Sequence, residues 1–278
     1  MARRLSIDPD LRARLVEIGA STDDVGDPAE TWRRLRQRFG PRATLIDRYA
    51  LDAAHRGLQV EQLPADVRAQ LGAEVLRVQF PGLEFAPGSA RSASDAIEVV
   101  AYDGRWPQRF EERRRQLDDA LGHAALGIEH VGSTAVPGLA AKPIIDIQIS
   151  VRDVEREAAY VPAIERAGVA LRAREPGHRY FRPAGDRPRD VQIHVCDAGS
   201  TWERDHLLFR DYLRATPAAR DAYGRLKLEL ADRYPDDRLA YTDAKSAFIL
   251  DTLDAANAWA MQVGWTVLAQ RAHGGDAP

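Results

Sequence analysis

One cysteine, Cys196, stands in 278 residues, so the chain can form neither an intramolecular disulfide nor a thiolate-held metal cluster. No apolar run approaches the ~20 residues that a membrane span requires. The opening stretch MARRLSIDPDLRARL is basic but lacks the apolar core, about 7–15 residues long, of a secretory signal, which makes the cytoplasm the expected location. A basic excess is missing as well. Arginine far outnumbers lysine, but acids are interleaved throughout and the formal net charge is -3, so a mixed solvated surface is expected rather than a nucleic-acid footprint. What is present, 45% hydrophobic and 29% charged residues, suits a soluble globular chain long enough for one large or two ordinary domains.

Residues 1–94 read as a mostly helical accessory domain. Asp8-Pro9-Asp10 opens a helix over Leu11–Ile18 and Asp27-Pro28 another over Glu30–Phe39, because Asp accepts from free N–H groups and Pro suits the first turn. Helices over Ala43–His55 and Ala65–Val78 follow. Small and turn-forming residues from Gly82 to Ser94 predict a linker. Nothing before it carries chemistry, which leaves partner binding or self-association as its expected role. Residues 95–265 read as an α+β domain, with strands at Ala96–Tyr102, Val169–Ala173, Arg179–Arg182 and Val191–Cys196. Its helices are expected at Pro107–Leu121, Val154–Ala167, Arg204–Arg214, Pro217–Tyr234 and Tyr241–Val263. Residues 266–278 read as a flexible tail.

The stretch Ile128–Ser150, IEHVGSTAVPGLAAKPIIDIQIS, has the layout of a site. A strand ending in Gly132-Ser133 lets backbone approach a ligand closely. In the second strand Ile145, Ile147 and Ile149 alternate with Ile144, Asp146 and Gln148, so one face is core and the other carries a carboxylate. Asp146 either serves chemistry or is bonded to a neighbouring turn or arginine. Each companion has two readings. His130 orients a phosphate or carboxylate, or bonds a backbone carbonyl; Ser133 contacts phosphate or caps the next turn; Lys142 reaches an anion or is solvated. His194 shares a face with Gln192 and Cys196, and either joins Asp146 or is a satisfied core histidine. Arg182 and Lys245 are candidate phosphate-neutralising cations, whereas Arg210 and Lys227, on amphipathic helices, read as ion-pair partners. A Cys196/His194 nucleophilic pair has little support.

A Gly-Ser turn before a strand-borne Asp resembles the opening of nucleotidyltransferase-fold enzymes, in which that turn holds triphosphate and strand carboxylates hold a divalent cation. More specifically, IEVVAYDGRWPQRFEE, IEHVGSTAVPGLAAKPIIDI, RYFRP, VQIHV, HLLFRDYLR and AYTDAKSAFI, in this order, resemble the GrpB family, also called UPF0157, over about residues 97–260. The resemblance implies a nucleotidyltransferase-like mixed sheet with flanking helices. It also implies a site in which Asp146 holds Mg²⁺ with Gln148 as a weak second ligand, and His130, Gly132, Ser133, Lys142, Arg182 and Lys245 meet a nucleotide or other phosphate-bearing molecule. Asp146 and His194 would be the catalytic pair. Two positions depart from the family pattern: Ala101 where proline is usual, and Gln192 where histidine or another residue is expected, which argues against a two-histidine site. The expected function is nucleotide binding with nucleotidyl transfer to an acceptor; the alternative is a binding module that keeps the fold without the chemistry.

Overall fold

The computed structural model describes residues 7–22, 24–87, 89, 96–184 and 187–267. In chain order its helices and strands are α1 (Pro9–Glu17), α2 (Pro28–Phe39), α3 (Leu45–His55), α4 (Ala65–Gln79), β1 (Glu84–Phe85), α5 (Trp106–Leu121), β2 (Gly127–Val131) and β3 (Ile145–Val151). There follow α6 (Val161–Arg166), β4 (Val169–Glu175), β5 (His178–Pro183), β6 (Val191–Asp197), α7 (Thr201–Ala215), α8 (Pro217–Arg233), α9 (Arg238–Asp243) and α10 (Ser246–Val263). None of the described helices is long and apolar enough to cross a membrane. Two compact units result: residues up to Pro81 with Asp237–Leu250, and Gly82–Asp236 with the residues from Asp251 onward.

The first unit is helical, as its caps dictate. Asp8 accepts from Leu11 N at 2.9 Å and Asp27 from Ala29 N at 2.9 Å, each followed by a proline in the first turn. Thr44 and Asp47 close a reciprocal capping box, so α3 starts two residues later than apolar spacing alone predicts. The Asp47 carboxylate also takes a bidentate bond from Arg14 at 2.7 and 2.8 Å. Asp237–Leu250, expected in the second domain, groups here. Asp243 accepts from Gln79 Nε2 at 2.7 Å and from Leu45 N, and burial raises the pKa of its carboxyl. Where Asp243 turns inward, the single helix expected over Tyr241–Val263 divides into α9 and α10; no glycine or proline signals the break.

The second unit is built on a six-stranded sheet of order β1-β4-β5-β6-β3-β2, in which β3 and β6 run parallel and all other neighbours antiparallel. Ile145, Ile147, Ile149, Phe181, Val191, Ile193 and Val195 point to one face, where Trp106, Leu117 and Leu121 of α5 and Ala163 and Ile164 of α6 cover them. Three expectations change. Ala96–Tyr102 is no strand: Val100 alone bridges Ala141, exchanging two 2.9 Å backbone bonds, because its partner there is a loop. The helix expected over Val154–Ala167 shrinks to α6, since Pro162 has no N–H to donate and fits only a first turn. The predicted linker contains the two-residue strand β1; its residues 88 and 90–94, and the tail from 268, lie outside the described residues.

Ile147 is completely buried at the centre of this core. Ile147→Ala should cost about 2–5 kcal/mol in a denaturant titration of the full chain, whereas Met261→Ala, 80% exposed, should stay within about 0.5 kcal/mol.

Candidate functional site

Strand register decides which side chains meet on the face opposite the core. β3 pairs with β6 so that Asp146 lies beside Gln192, Gln148 beside His194 and Ser150 beside Cys196. On the other side of β6, β5 places Tyr180 beside His194 and His178 beside Cys196. β2 adds Glu129 beside Gln148. Alternation puts Arg182 of β5 on this same face.

Gly132 follows β2 with φ +69° and lies against Asp146, and the turn Ser133–Ala135 comes next. A Cβ built at Gly132 would overlap Asp146 Oδ2 and stand 2.9 Å from Asp146 Cβ. Both the backbone angle and the contact therefore demand glycine. Gly132 occupies the cap position of this turn, so the reading of Ser133 as its N-cap fails; Ser133 is the first turn residue, partly open to solvent. Helix α8 clasps the loop beyond: the buried Lys227 ammonium donates to Ala140 O and Arg220 Nη1 donates to Pro137 O at 3.4 Å. Lys142 follows in that loop, partly buried, four residues before Asp146.

The carboxylate of Asp146 faces an imidazole. His194 Nε2 is 4.0 Å from Asp146 Oδ1, both side chains being a quarter or so exposed. His194 Nδ1 meets His178 Nε2 at 3.0 Å, with the ring planes 18° apart and the centroids separated by 5.2 Å. That separation equals the N···N distance plus two ring radii, so the rings meet edge to edge along a hydrogen bond and do not stack. Trp202, in the first turn of α7, lies across them, its ring centroid 4.6 Å from His178 and 5.3 Å from His194; His206 covers its other face at 3.7 Å. Burial, with His178 and His206 nearby, holds the His194 imidazole well below its usual pKa. The neighbouring strand thus brings a second histidine, His178, to this face. Sequence reading missed His178, Tyr180, Trp202 and His206, although the alternation His178-x-Tyr180-x-Arg182 repeats the pattern that exposed His194.

Several expected ligands go elsewhere. His130 pairs in register with Ile147 and so points to the core face, away from Asp146. It stacks on Phe110 at 4.7 Å, and its Nε2 donates to Thr134 Oγ1 at 3.0 Å, that hydroxyl donating onward to Ile144 O. It is therefore a satisfied core histidine. Gln148 shares the Asp146 face but is completely buried, with neither amide atom hydrogen-bonded, and so cannot reach a cation in the open. Lys245 belongs to the first compact unit, its ammonium 4.6 Å from the centroid of Tyr241. Cys196 is buried, and burial near Glu203 pushes its thiol up to about 12, which rules out a thiolate nucleophile at neutral pH. Arg210 is an ion-pair partner as expected, binding Asp211 at 2.7 Å, Glu129 at 2.9 Å and His130 O at 3.0 Å.

These placements decide how magnesium fits. A protein-held Mg²⁺ takes oxygen ligands, usually one or two carboxylates together with substrate phosphates. Glu129 is held by Arg210, Asp190 lies 3.6 Å from Arg113, and the neighbour of Asp146 is an imidazole. Among the described residues no group of three or more His, Cys, Asp or Glu is arranged to hold a metal. The side chains around Asp146 do not fit a magnesium ion held by the protein.

Two measurements check this arrangement. Gly132→Ala should lose about 1–3 kcal/mol of stability from backbone strain and overlap, while Gly104→Ala, at a position with no neighbour within 4 Å, should be nearly neutral. His130 has its pKa lowered to about 3, by burial first and then by Arg214 and Arg210. Its unfolded value is about 6.5, so its contribution is complete above about pH 6.5 and is lost as pH falls toward 3. Stability should drop by up to about 1.4 kcal/mol per pH unit in that window, and His130→Phe should flatten the slope seen in urea titrations at pH 7 and pH 5.

The chain is similar to several known proteins. A UPF0157 protein of Streptomyces coelicolor is 46% identical over 166 residues, which cover 59% of this chain and 87% of that protein. The crystal structure of the conserved protein GrpB from Enterococcus faecalis superposes with a TM-score of 0.52 at 36% identity, covering 57% of this chain and 96% of the other. A dephospho-CoA kinase of Mycolicibacterium paratuberculosis is 30% identical over 195 residues, and the chain spans about half its length, 48%. The family model described as GrpB protein matches residues 96–255, and the chain belongs to that family.

Proposed function

We propose that the second unit binds a nucleotide or a related phosphate-bearing small molecule at the Gly132-Ser133 turn, and transfers the nucleotidyl group of a nucleoside triphosphate to a hydroxyl beside His194 and Asp146, a new bond forming to the α-phosphorus as the α–β P–O bond breaks and pyrophosphate leaves. The observation that carries this reading is Gly132 lying against a carboxylate that faces a neutral imidazole across 4.0 Å. A hydroxyl oxygen fits at the mouth of such a gap, about 2.7–2.9 Å from His194 Nε2, to which it donates its one proton. His194, uncharged at neutral pH because of its burial, would take the hydroxyl proton, and the Asp146 carboxylate would stabilise the imidazolium character that develops. Gly132 and Ser133 offer closely approachable backbone N–H groups to phosphate oxygens, and Lys142 and Arg182 contribute positive charge. Any Mg²⁺ would arrive on the phosphates of the nucleotide, and the cytoplasm would be the place of action.

The relatives named dephospho-CoA kinase support a nucleotide-type ligand. None of the three lysines of this chain follows a glycine, so it has no G-x-x-x-x-G-K-[ST] loop; the likeness supports shared ligand chemistry and not a kinase mechanism of that type. A second reading, a binding module without chemistry, is favoured by the lack, among the described residues, of a metal-holding group.

Thermal-shift measurements with the four NTPs, their diphosphates and CoA-type nucleotides, each with and without Mg²⁺, test the binding. At 100 times Kd one of them should add about 2.7 kcal/mol, a rise of a few degrees; no shift with any of them sinks the reading. Mass-spectrometric detection of a nucleotidylated product, falling roughly 100-fold or more in Asp146→Asn, separates enzyme from module. Binding without product would leave the module.

A further inference from the structure

His178 Nδ1 is buried and has no hydrogen-bond partner, yet Glu175 Oε2, on a partly exposed side chain at the end of β4, lies 3.8 Å from it. Buried polar atoms are rarely left unpaired without a reason. Four groups stand in line: Asp146 Oδ1, 4.0 Å to His194 Nε2; His194 Nδ1, 3.0 Å to His178 Nε2; His178 Nδ1, 3.8 Å to Glu175 Oε2. We infer that His178 and His194 form a two-ring proton relay that carries the hydroxyl proton from the Asp146 site across the sheet to Glu175 and solvent.

Counting protons gives the inference its content. Two neutral imidazoles carry two N–H protons, and the 3.0 Å contact must hold one of them, since two facing lone pairs repel and two facing protons clash. The other proton sits at an outer nitrogen, facing Asp146 or facing Glu175. In the first case both rings carry Nε2–H; in the second both carry Nδ1–H. The rings therefore share one tautomer and change it together. Starting from the Nδ1–H pair, the hydroxyl O–H bond breaks as His194 Nε2–H forms. His194 Nδ1–H then breaks as His178 Nε2–H forms, and His178 Nδ1–H breaks as an O–H forms on the Glu175 carboxylate, which releases the proton to water. The pair ends as Nε2–H on both rings, and the reverse passage restores it. Trp202 makes the rings a wire by holding them nearly coplanar under its indole, while His206 covers the outer face of that indole. His178 is thus a positioning residue for His194, and Glu175 the terminus.

The relay rests on the functional reading only for the source of the proton; its tautomers are read without any nucleotide. Long-range ¹H–¹⁵N correlation spectra of the full chain, labelled at histidine nitrogens and assigned with single His→Gln variants, report which nitrogen of each ring carries the proton. At pH 7.5 His178 and His194 should show matching tautomers. Asp146→Asn, which removes the charge at one end, should move both rings toward Nδ1–H by roughly threefold, and Glu175→Gln should move both toward Nε2–H by a similar factor. Opposite tautomers, a doubly protonated ring, or movement of one ring without the other would overturn the relay, as would two variants that leave both rings unchanged. A nucleotide panel without a hit would leave matched tautomers standing, so the two ideas fail separately.

Discussion

The register of β3 is the constraint on which everything else in the second unit depends. Three isoleucines at alternate positions are driven into one core, and the side-chain period of a strand then forces Asp146, Gln148 and Ser150 onto the other face. A slip of one residue would bury the carboxylate among Ile193, Val195 and Phe181 and expose the isoleucines, a double penalty that leaves one register. The parallel partner β6 obeys the same rule with Val191, Ile193 and Val195. Asp146 and His194 face one another because two hydrophobic alternations agree, with no attraction between them required.

The polar face is organised by groups that the chemistry does not use. Helix α7 is tied to the sheet by Arg210, which reaches Glu129 and His130 O, and by Glu203, which takes Ser150 Oγ and Gly199 N. Arg214 binds Ala135 O at 2.9 Å, linking that helix to the Gly-Ser turn. These charge-assisted bonds are buried at least in part, where they are strong and where a missing partner is costly. They fix Trp202 over the two imidazoles, and thereby make two rings on neighbouring strands behave as one unit.

Much of this was legible in the sequence. The strand pattern of Ile145–Ile149, the Gly-Ser turn, the lone acid and His194 could all be read from alternation, because period two reports faces directly. His130 misled because a two-residue alternation fixes a side chain to a face only relative to its own strand; which face of β2 met the core depended on pairing with Ile147. Gln148 misled by proximity to Asp146, since nothing local announces that it is completely buried. His178 and Trp202 escaped because a strand start and a helix start carry weak periodicity. The break at Asp243 was invisible for a different reason: its cause is a carboxylate satisfied by Leu45 and Gln79, far away in the chain.

The parallel pairing of β3 with β6 also makes the site depend on a contact between distant parts of the chain. His178, His194 and Trp202 lie within 25 residues, on a hairpin and the helix that follows it, so local contacts can bring them together early. Asp146 joins them only when a strand more than forty residues distant docks alongside, a pairing of high sequence separation and therefore slow to close. A chain with an incomplete sheet holds the imidazoles without the carboxylate that faces them, which confines whatever chemistry the face performs to the finished fold.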